Sequence, residues 1–486
     1  MESLFLKVMR ERPLVQDGAM GTSVLAHDLS IEKDFRGCEN CTDVVTDTRP
    51  DVIEEIHASF YRVGCDAVET NTFGANKVVL GEFHLADQTY ELNKKSGIIA
   101  CRARDKFSTP AQPRFVIGSM GPGTKLPTLG HTTFDFLEDS YFTQARGLID
   151  GGVDALSVET CQDILQAKAA ICGATRAMKE TGREVPIIAQ VTIEVTGTML
   201  VGTDIAAALT VLESYPQVQV IGMNCATGPQ EMSEHIRFLG RTTSRLLSCV
   251  PNAGLPQLVS GHTHYALTPD ELAKWMREFV VEDGVNMVGG CCGTTPAHLA
   301  AVVEAVRGLK SKERRPAAAK SGSVASIYQS VPLRQDNSFL IVGERTNTNG
   351  SKKFRELMIA GNIDGLVEMG REQVREGAHV LDVCVDYVGR DGVPDMDAVV
   401  TRFVKDVTVP LMLDSTEPPV LEAGLKRAGG KCIVNSVNLE DGEEKMKVVC
   451  PMLRKYGAAV VALTIDEDPV EAMGKTADRK LAIARR

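Results

Sequence analysis

The chain has 486 residues, 43% hydrophobic and 24% charged, with 43 glycines. That composition belongs to an ordinary globular α/β protein with two or three cores, and it excludes a disordered or collagenous chain. Basic residues number 53 against 64 acidic ones, a net charge of −11, so neither a nucleic-acid partner nor a membrane surface is expected. No apolar run approaches the roughly 18 residues of a spanning helix, and residues 1–13 lack the layout of a signal peptide; a cytoplasmic protein is expected. Thirteen cysteines, an odd number in a chain of this size, then read as reduced thiols and candidates for metal ligation, not as a disulfide framework.

Short apolar runs alternate with helical patterns from the start. Strands are predicted at 14–16, 67–71, 115–119, 155–159, 187–193, 220–224, 245–250 and 286–289. Between them the apolar residues fall at i, i+3, i+4 spacing, as in 50–62 and 136–150. Thr268-Pro269-Asp270-Glu271 carries a capping box, and Thr295-Pro296 opens a helix in the same way without the Glu. Eight strand–helix units within residues 1–309 match a (β/α)8 TIM barrel better than a doubly wound sheet. Neither GxGxxG nor GxxxxGK[ST] follows a strand, which removes the main support for a nucleotide fold. Residues 310–338 are charged, then small and polar, and read as a linker, partly ordered at most. A second series occupies 339–486, with five units that contain FLIVGER, HVLDVCVD, PLMLDST, KCIVNSV and AAVVALTID. Eight units need roughly 250 residues, so this second barrel reads as incomplete at Arg486.

In a parallel barrel chemistry sits at the carboxyl ends of the strands. There the first barrel carries DGAMGT (17–22), ETNT (69–72), SMGP (119–122), ETC (159–161), NCA (224–226), PNAG (251–254) and GGCCG (289–293). Cys225 ends one strand, and the vicinal pair Cys291-Cys292 ends another. Three thiolates suit zinc and leave a fourth position open, the pattern of a catalytic centre. Three packed core cysteines would give the same spacing. The glycines around Cys291 and Cys292 favour the metal, because they admit close backbone approach that a packing cysteine does not require. Cys38 and Cys41 form a CxxC that reads as an exposed loop. His262 and His264 lie in a Gly/Ser-flanked loop, and Asp135, Glu138 and Asp139 read as a solvated helix face. Glu159 suits either an acceptor for a substrate ammonium or a structural hydrogen bond.

DGAMGT, ETNTFGAN (69–76), SMGP, ETCQD (159–163), GMNCATGP (222–229), PNAGLP (251–256) and GGCCGTTPAH (289–298) together resemble the homocysteine S-methyltransferase domain across residues 1–309. GERTNTNGSKKF (343–354), LDVCVD (381–386), LDST (413–416) and IVNSV (433–437) resemble a pterin-binding domain. That domain order is the order found in cobalamin-dependent methionine synthases; betaine–homocysteine methyltransferases share only the first domain. The resemblance implies zinc on Cys225, Cys291 and Cys292, which are then the catalytic residues. It also implies homocysteine as methyl acceptor, methylcobalamin as donor and 5-methyltetrahydrofolate as the source that recharges the corrinoid. The amides of Gly21 and Thr22 would bind the homocysteine carboxylate, and Asp17, Glu159 or Asn252 its ammonium. Gly350, Asp382, Asp414 and Asn435 would hold the pterin. Cys384 stands where the commonest form of the family has Asn. A cobalamin-binding domain and an S-adenosyl-L-methionine-dependent reactivation domain would lie beyond Arg486. The alternatives are a self-contained methyltransferase that uses a small donor such as betaine, or a non-catalytic fragment that binds zinc or substrate.

Overall fold

The computed structural model describes residues 3–259, 262–316, 322–468 and 473–486. The chain forms two compact units, 1–126 with 130–201 and 216–318, and 127–129 with 202–215 and 319–486. In the first unit the strands are β1 (Leu14–Val15), β2 (Ala67–Glu69), β3 (Phe115–Met120), β4 (Ala155–Cys161), β5 (Ile187–Val191), β6 (Val218–Asn224), β7 (Leu246–Val250), a hairpin of β8 (Pro256–Val259) and β9 (His262–Tyr265), and β10 (Met287–Val288). All eight predicted strands are present. They form one parallel sheet in the order β1-β10-β7-β6-β5-β4-β3-β2, and the bridge Gln16↔Ala67 joins its two ends into a barrel.

The barrel strands read as nearly continuous apolar runs because both their faces are covered. Their first residues, among them Leu14, Phe115, Ile188, Val220 and Met287, form a layer at the amino-terminal end. The helix Leu4–Glu11 plugs that end. It is capped by Ser3 and buries Phe5, Leu6, Val8 and Met9 in the same cluster, with Phe5 edge-on to Phe115 at 5.3 Å. With one end plugged, the carboxyl ends of the strands are left to build a site. Both predicted helix starts are present. Thr268 and Glu271 form a reciprocal box; at Thr295 the third residue is His298, whose Nδ1 takes the place of the missing carboxylate.

The second unit holds a hairpin, β11 (Ser323–Ala325) and β12 (Ser330–Pro332), and a five-stranded parallel sheet. Its strands, in sequence and spatial order, are β13 (Val342–Gly343), β14 (Val380–Val383), β15 (Leu411–Asp414), β16 (Ile433–Val437) and β17 (Ala459–Ala462). The hairpin corrects the linker reading for residues 323–332. Val324 and Val331 are buried against Val380, Met412 and Ile433, near the starts of the sheet strands. Isolated apolar residues among small polar ones concealed a two-stranded element. No helix among the described residues is long and apolar enough to cross a membrane.

On the helix Pro50–Arg62, His57 is fully buried with neither ring nitrogen hydrogen-bonded among the described residues. Burial lowers its pKa to about 3. Between pH 6.5 and 3 the unfolded chain therefore takes up a proton that the folded chain refuses, so this group lowers stability as pH falls. His57→Leu is expected to remove that loss. Its stability relative to the parent should grow by about 1.4 kcal/mol per pH unit on acidification through this range, read from urea unfolding at a series of pH values.

Candidate active site

Cys225 follows β6, and Cys291 and Cys292 follow β10. One strand, β7, lies between these two in the sheet. The three sulfurs lie within 4.8 Å of one another, with Cys225 Sγ 3.9 Å from Cys292 Sγ. Sulfurs on a tetrahedral zinc, each about 2.3 Å from the metal, stand about 3.8 Å apart, so the donor type and spacing fit that ion. It is the only such group of three ligand side chains found among the described residues.

The local backbone brings the sulfurs together at a conformational cost. Cys225 and Ala226 have φ of 60° and 57°, a region that costs non-glycine residues of order 1–3 kcal/mol each. The N–H of Cys225 donates to Val250 O, and that of Cys291 to Pro251 O, which binds both turns to β7 and its end. The glycines around the vicinal pair make room for neighbouring side chains. A Cβ on Gly290 would lie 2.4 Å from Thr294 Oγ1, and one on Gly293 would lie 2.3 Å from the ring of Tyr265.

The thiols divide their protons unequally. Hydrogen bonds from Cys225 and then Cys291 pull Cys292 down to about 3. Its bonds to Cys225 and Cys292, together with burial, hold Cys291 well above the ordinary range. Cys225 is lowered by Cys291 but raised more by Cys292 and burial, and ends at about 12. Ionising all three at neutral pH requires a cation between them.

All three cysteines line a cavity of about 200 Å³ that also takes in residues 18–22, 69–73, Ser119, Glu159, Thr160 and Asn224. Gly21 and Thr22, whose amides are expected to bind a carboxylate, are in its wall. Glu159 is too; it accepts hydrogen bonds from Ser119 Oγ at 2.5 Å and Asn224 Nδ2 at 3.0 Å, and burial raises its pKa to about 7. Asn224, the residue before Cys225, also accepts the Thr160 N–H, and so ties this carboxyl and its neighbour to the turn that carries Cys225.

Two predicted ammonium acceptors have other work. Both oxygens of Asp17 accept the N–H of Glu69 at 3.1 Å, which makes its carboxyl an extension of the β1–β2 seam. Asn252 Oδ1 accepts the N–H of Cys292 at 3.1 Å and holds the ligand turn. A carboxyl that the sequence reading did not select, Glu69, lines the cavity with its Oε1 buried and unpartnered among the described residues. Burial, then the charges of Glu159 and Asp17, push its pKa well up. Its place at a strand end, inside ETNTFGAN, was the available signal.

The other candidates stay outside. Cys41 is buried, contrary to the exposed loop expected for the CxxC, and neither it nor Cys38 joins the sulfur cluster. His264 is exposed, while the side chain of His262 lies outside the described residues. Asp139 pairs with Lys77 and Arg176 on the helix surface.

In the second unit one side chain organises the predicted residues. Asn347 Nδ2 donates to Asp382 Oδ2 at 2.8 Å and Asp414 Oδ2 at 3.0 Å, while its Oδ1 accepts the N–H of Gly350 at 3.2 Å. Asn435 is the register partner of Asp414 on β16. Burial lifts Asp382 to about 6 and raises Asp414 as well. Cys384 is buried, and its sulfur accepts from Thr348 Oγ1 and Asn349 Nδ2.

The family model for homocysteine S-methyltransferase matches residues 14–306, more than half of the chain. The chain belongs to the homocysteine S-methyltransferase family. A model for pterin binding enzymes matches residues 343–485 of this family member. Over 484 residues the chain is 51% identical to the methionine synthase of Mycobacterium tuberculosis, covering 99% of this chain and 40% of that protein. The methionine synthase of Mycobacterium leprae is 48% identical over 493 residues, with the same coverage. The chain thus spans 40% of the length of these curated relatives. The metallated form of the Escherichia coli homocysteine methyltransferase MmuM shares the barrel fold at a TM-score of 0.50 and 23% identity, covering 61% of this chain and 97% of that one.

Because Asn252 holds the turn that carries Cys292, Asn252→Ala is expected to weaken the affinity of the three-sulfur cluster for added zinc by about 10–100-fold while leaving the chain folded. Competition with a chromophoric chelator, alongside thermal melting, measures both.

Proposed function

We propose that this chain is the homocysteine- and folate-handling portion of a methionine synthase. In this reading it methylates the sulfur of homocysteine at a zinc centre made by Cys225, Cys291 and Cys292. The observation that carries it is the convergence of three sulfurs on one wall of a small cavity whose other walls suit the two ends of an amino acid. When bound, zinc would hold the homocysteine sulfur as a thiolate, the nucleophilic form that is scarce for a free thiol at neutral pH.

The chain's own residues then position the rest of the substrate. The amides of Gly21 and Thr22 receive the carboxylate. The ammonium lies near Glu159 and Glu69, whose protons leave as the positive charge arrives; Asp17 and Asn252 shape the walls from behind. Fixing both ends of a flexible substrate orients its sulfur for in-line attack on a methyl group and removes much of the entropic barrier. The methyl donor in this reading is methylcobalamin on a cobalamin-binding domain. The second unit, through Asp382, Asp414, Asn435 and the Asn347 that joins them, binds 5-methyltetrahydrofolate. Paired carboxylates suit the adjacent N–H donors of a pterin ring.

Two measurements test the first half of this reading. Metal analysis of Cys225→Ala, Cys291→Ala and Cys292→Ala should show each variant losing zinc, because two thiolates hold it poorly, whereas Cys38→Ala and Cys161→Ala keep it. Full retention in all three would refute the ligand set. Homocysteine binding should also release protons, since its thiol enters as a thiolate. Calorimetry at pH 7 in buffers of different ionisation enthalpy counts them, and a count near zero would mean that the sulfur does not meet the metal.

A further inference from the structure

The candidate cavity draws Glu159 and Cys225 from strands that are not neighbours. Glu159 lies on β4 and Cys225 follows β6, with β5 between them in the sheet. The side chain of Asn224, the last residue of β6, spans that gap. Its Oδ1 accepts the N–H of Thr160 at 2.7 Å, while its Nδ2 donates to Thr160 Oγ1 at 2.8 Å and to Glu159 Oε2 at 3.0 Å. A backbone N–H can only donate, so the orientation of the amide is fixed, and both its N–H groups and its oxygen are used on Glu159 and Thr160. The main chain is held too, since Asn224 O accepts from Thr192 Oγ1, just past β5, at 2.8 Å. The two residues joined in this way both have unusual backbone, Thr160 with φ of 54° and Cys225 with φ of 60°. For a β-branched residue such a φ is an outlier, and it persists only where the surroundings over-determine it.

We propose that Asn224 is a specificity-determining residue that fixes the spacing between the carboxyl of Glu159 and the sulfur cluster, and so selects an amino acid with its thiol on the γ-carbon over one with its thiol on the β-carbon. This rests on the reading of the cavity as a homocysteine site. Homocysteine and cysteine carry the same ammonium and carboxylate, and differ by one methylene between those groups and the sulfur. A cavity whose two ends moved independently would close on either. Here the amide makes the end of β4 and the Cys225 turn one piece, because Cys225 directly follows Asn224 in the chain. A shorter thiol that reaches the sulfurs leaves its ammonium short of Glu159, and one that reaches Glu159 leaves its sulfur short of the cluster. Ser119 Oγ holds the other oxygen of Glu159. It comes from β3, on the side of β4 away from Cys225, so it steadies the carboxyl without setting this distance.

Calorimetry on the whole chain, loaded with zinc, compares homocysteine, cysteine and 4-mercaptobutanoate, which is homocysteine without its amino group. The parent should prefer homocysteine to cysteine by about tenfold or more, as one methylene allows, and to 4-mercaptobutanoate because of the ammonium. Asn224→Ala should keep its zinc, bind homocysteine about tenfold more weakly and lose most of its preference over cysteine, while its affinity for 4-mercaptobutanoate is unchanged. Asn224→Asp keeps the shape and the acceptor for Thr160 N–H but loses the donor to Glu159. It should show the same loss of preference, and it carries the test if Asn224→Ala sheds its metal. Ser119→Ala should weaken homocysteine and cysteine alike and keep their ratio. Equal weakening of homocysteine and 4-mercaptobutanoate in the Asn224 variants, or an undiminished preference over cysteine, would overturn the role of Asn224 and leave the homocysteine site standing. A parent with no preference for homocysteine over 4-mercaptobutanoate would overturn the reading of the cavity and this inference together.

Discussion

Repulsion between like charges governs the open end of the first barrel. Two thiolates 4 Å apart repel by about 4 kcal/mol at the effective dielectric of a partly buried site, and here three sulfurs lie within 4.8 Å of one another. Left to themselves Cys225 and Cys291 retain their protons, and Cys292 takes the charge, favoured by hydrogen bonds from the other two. A divalent cation reverses the sign of the interaction and makes closeness favourable. The surrounding backbone is organised to keep the sulfurs close whether or not that cation is present. Cys225 is held at positive φ, Cys292 hangs from Asn252, and the glycines of GGCCG let Thr294 and Tyr265 press against the turn.

Such tension is sustainable because stability is provided elsewhere. The helix Leu4–Glu11 fills the opposite end of the barrel with Phe5, Leu6, Val8 and Met9. There Arg114 bonds the carbonyls of Gly64 and Cys65, and Arg183 those of Ile149 and Val153. The second unit repeats the arrangement with a different part, a two-stranded hairpin instead of a helix, under the five-stranded sheet. In each case the amino-terminal end of the sheet is apolar and closed, and the carboxyl-terminal end carries the clustered polar groups. This is the usual division of labour in barrels of this type.

The barrel was legible because its strands are apolar runs that stop at small and polar residues, and Cys291 and Cys292 were legible because glycine flanks them. What could not be read was the direction in which a polar side chain turns. Asp17, Glu69 and Glu159 are all carboxylates at strand ends, yet the first completes a backbone ladder while the other two line the cavity. Nothing in the spacing separates them, since each choice depends on which backbone donor lies across the sheet. The hairpins were lost for another reason. HTHY and SVA are too short and too polar to register as strands, and only their partners, Gly293 for the one and the sheet β13–β17 for the other, give them a reason to fold. Asn347 was hidden in a loop motif, although it is the side chain that brings Asp382 and Asp414 together.

The seam between β1 and β2 sets a limit on how such a protein can be understood from its variants. A single bridge closes the cylinder there, and the carboxylate of Asp17 stands in for the next backbone acceptor. On the proposed reaction, a screen scored by growth would rank Asp17 with the cysteines, since losing either would cost product. A screen scored by soluble yield would single out Asp17. Residues that all stand at strand ends can thus belong to different inheritances, one answerable to the architecture and the other to the reaction. Only scoring a library both ways separates them.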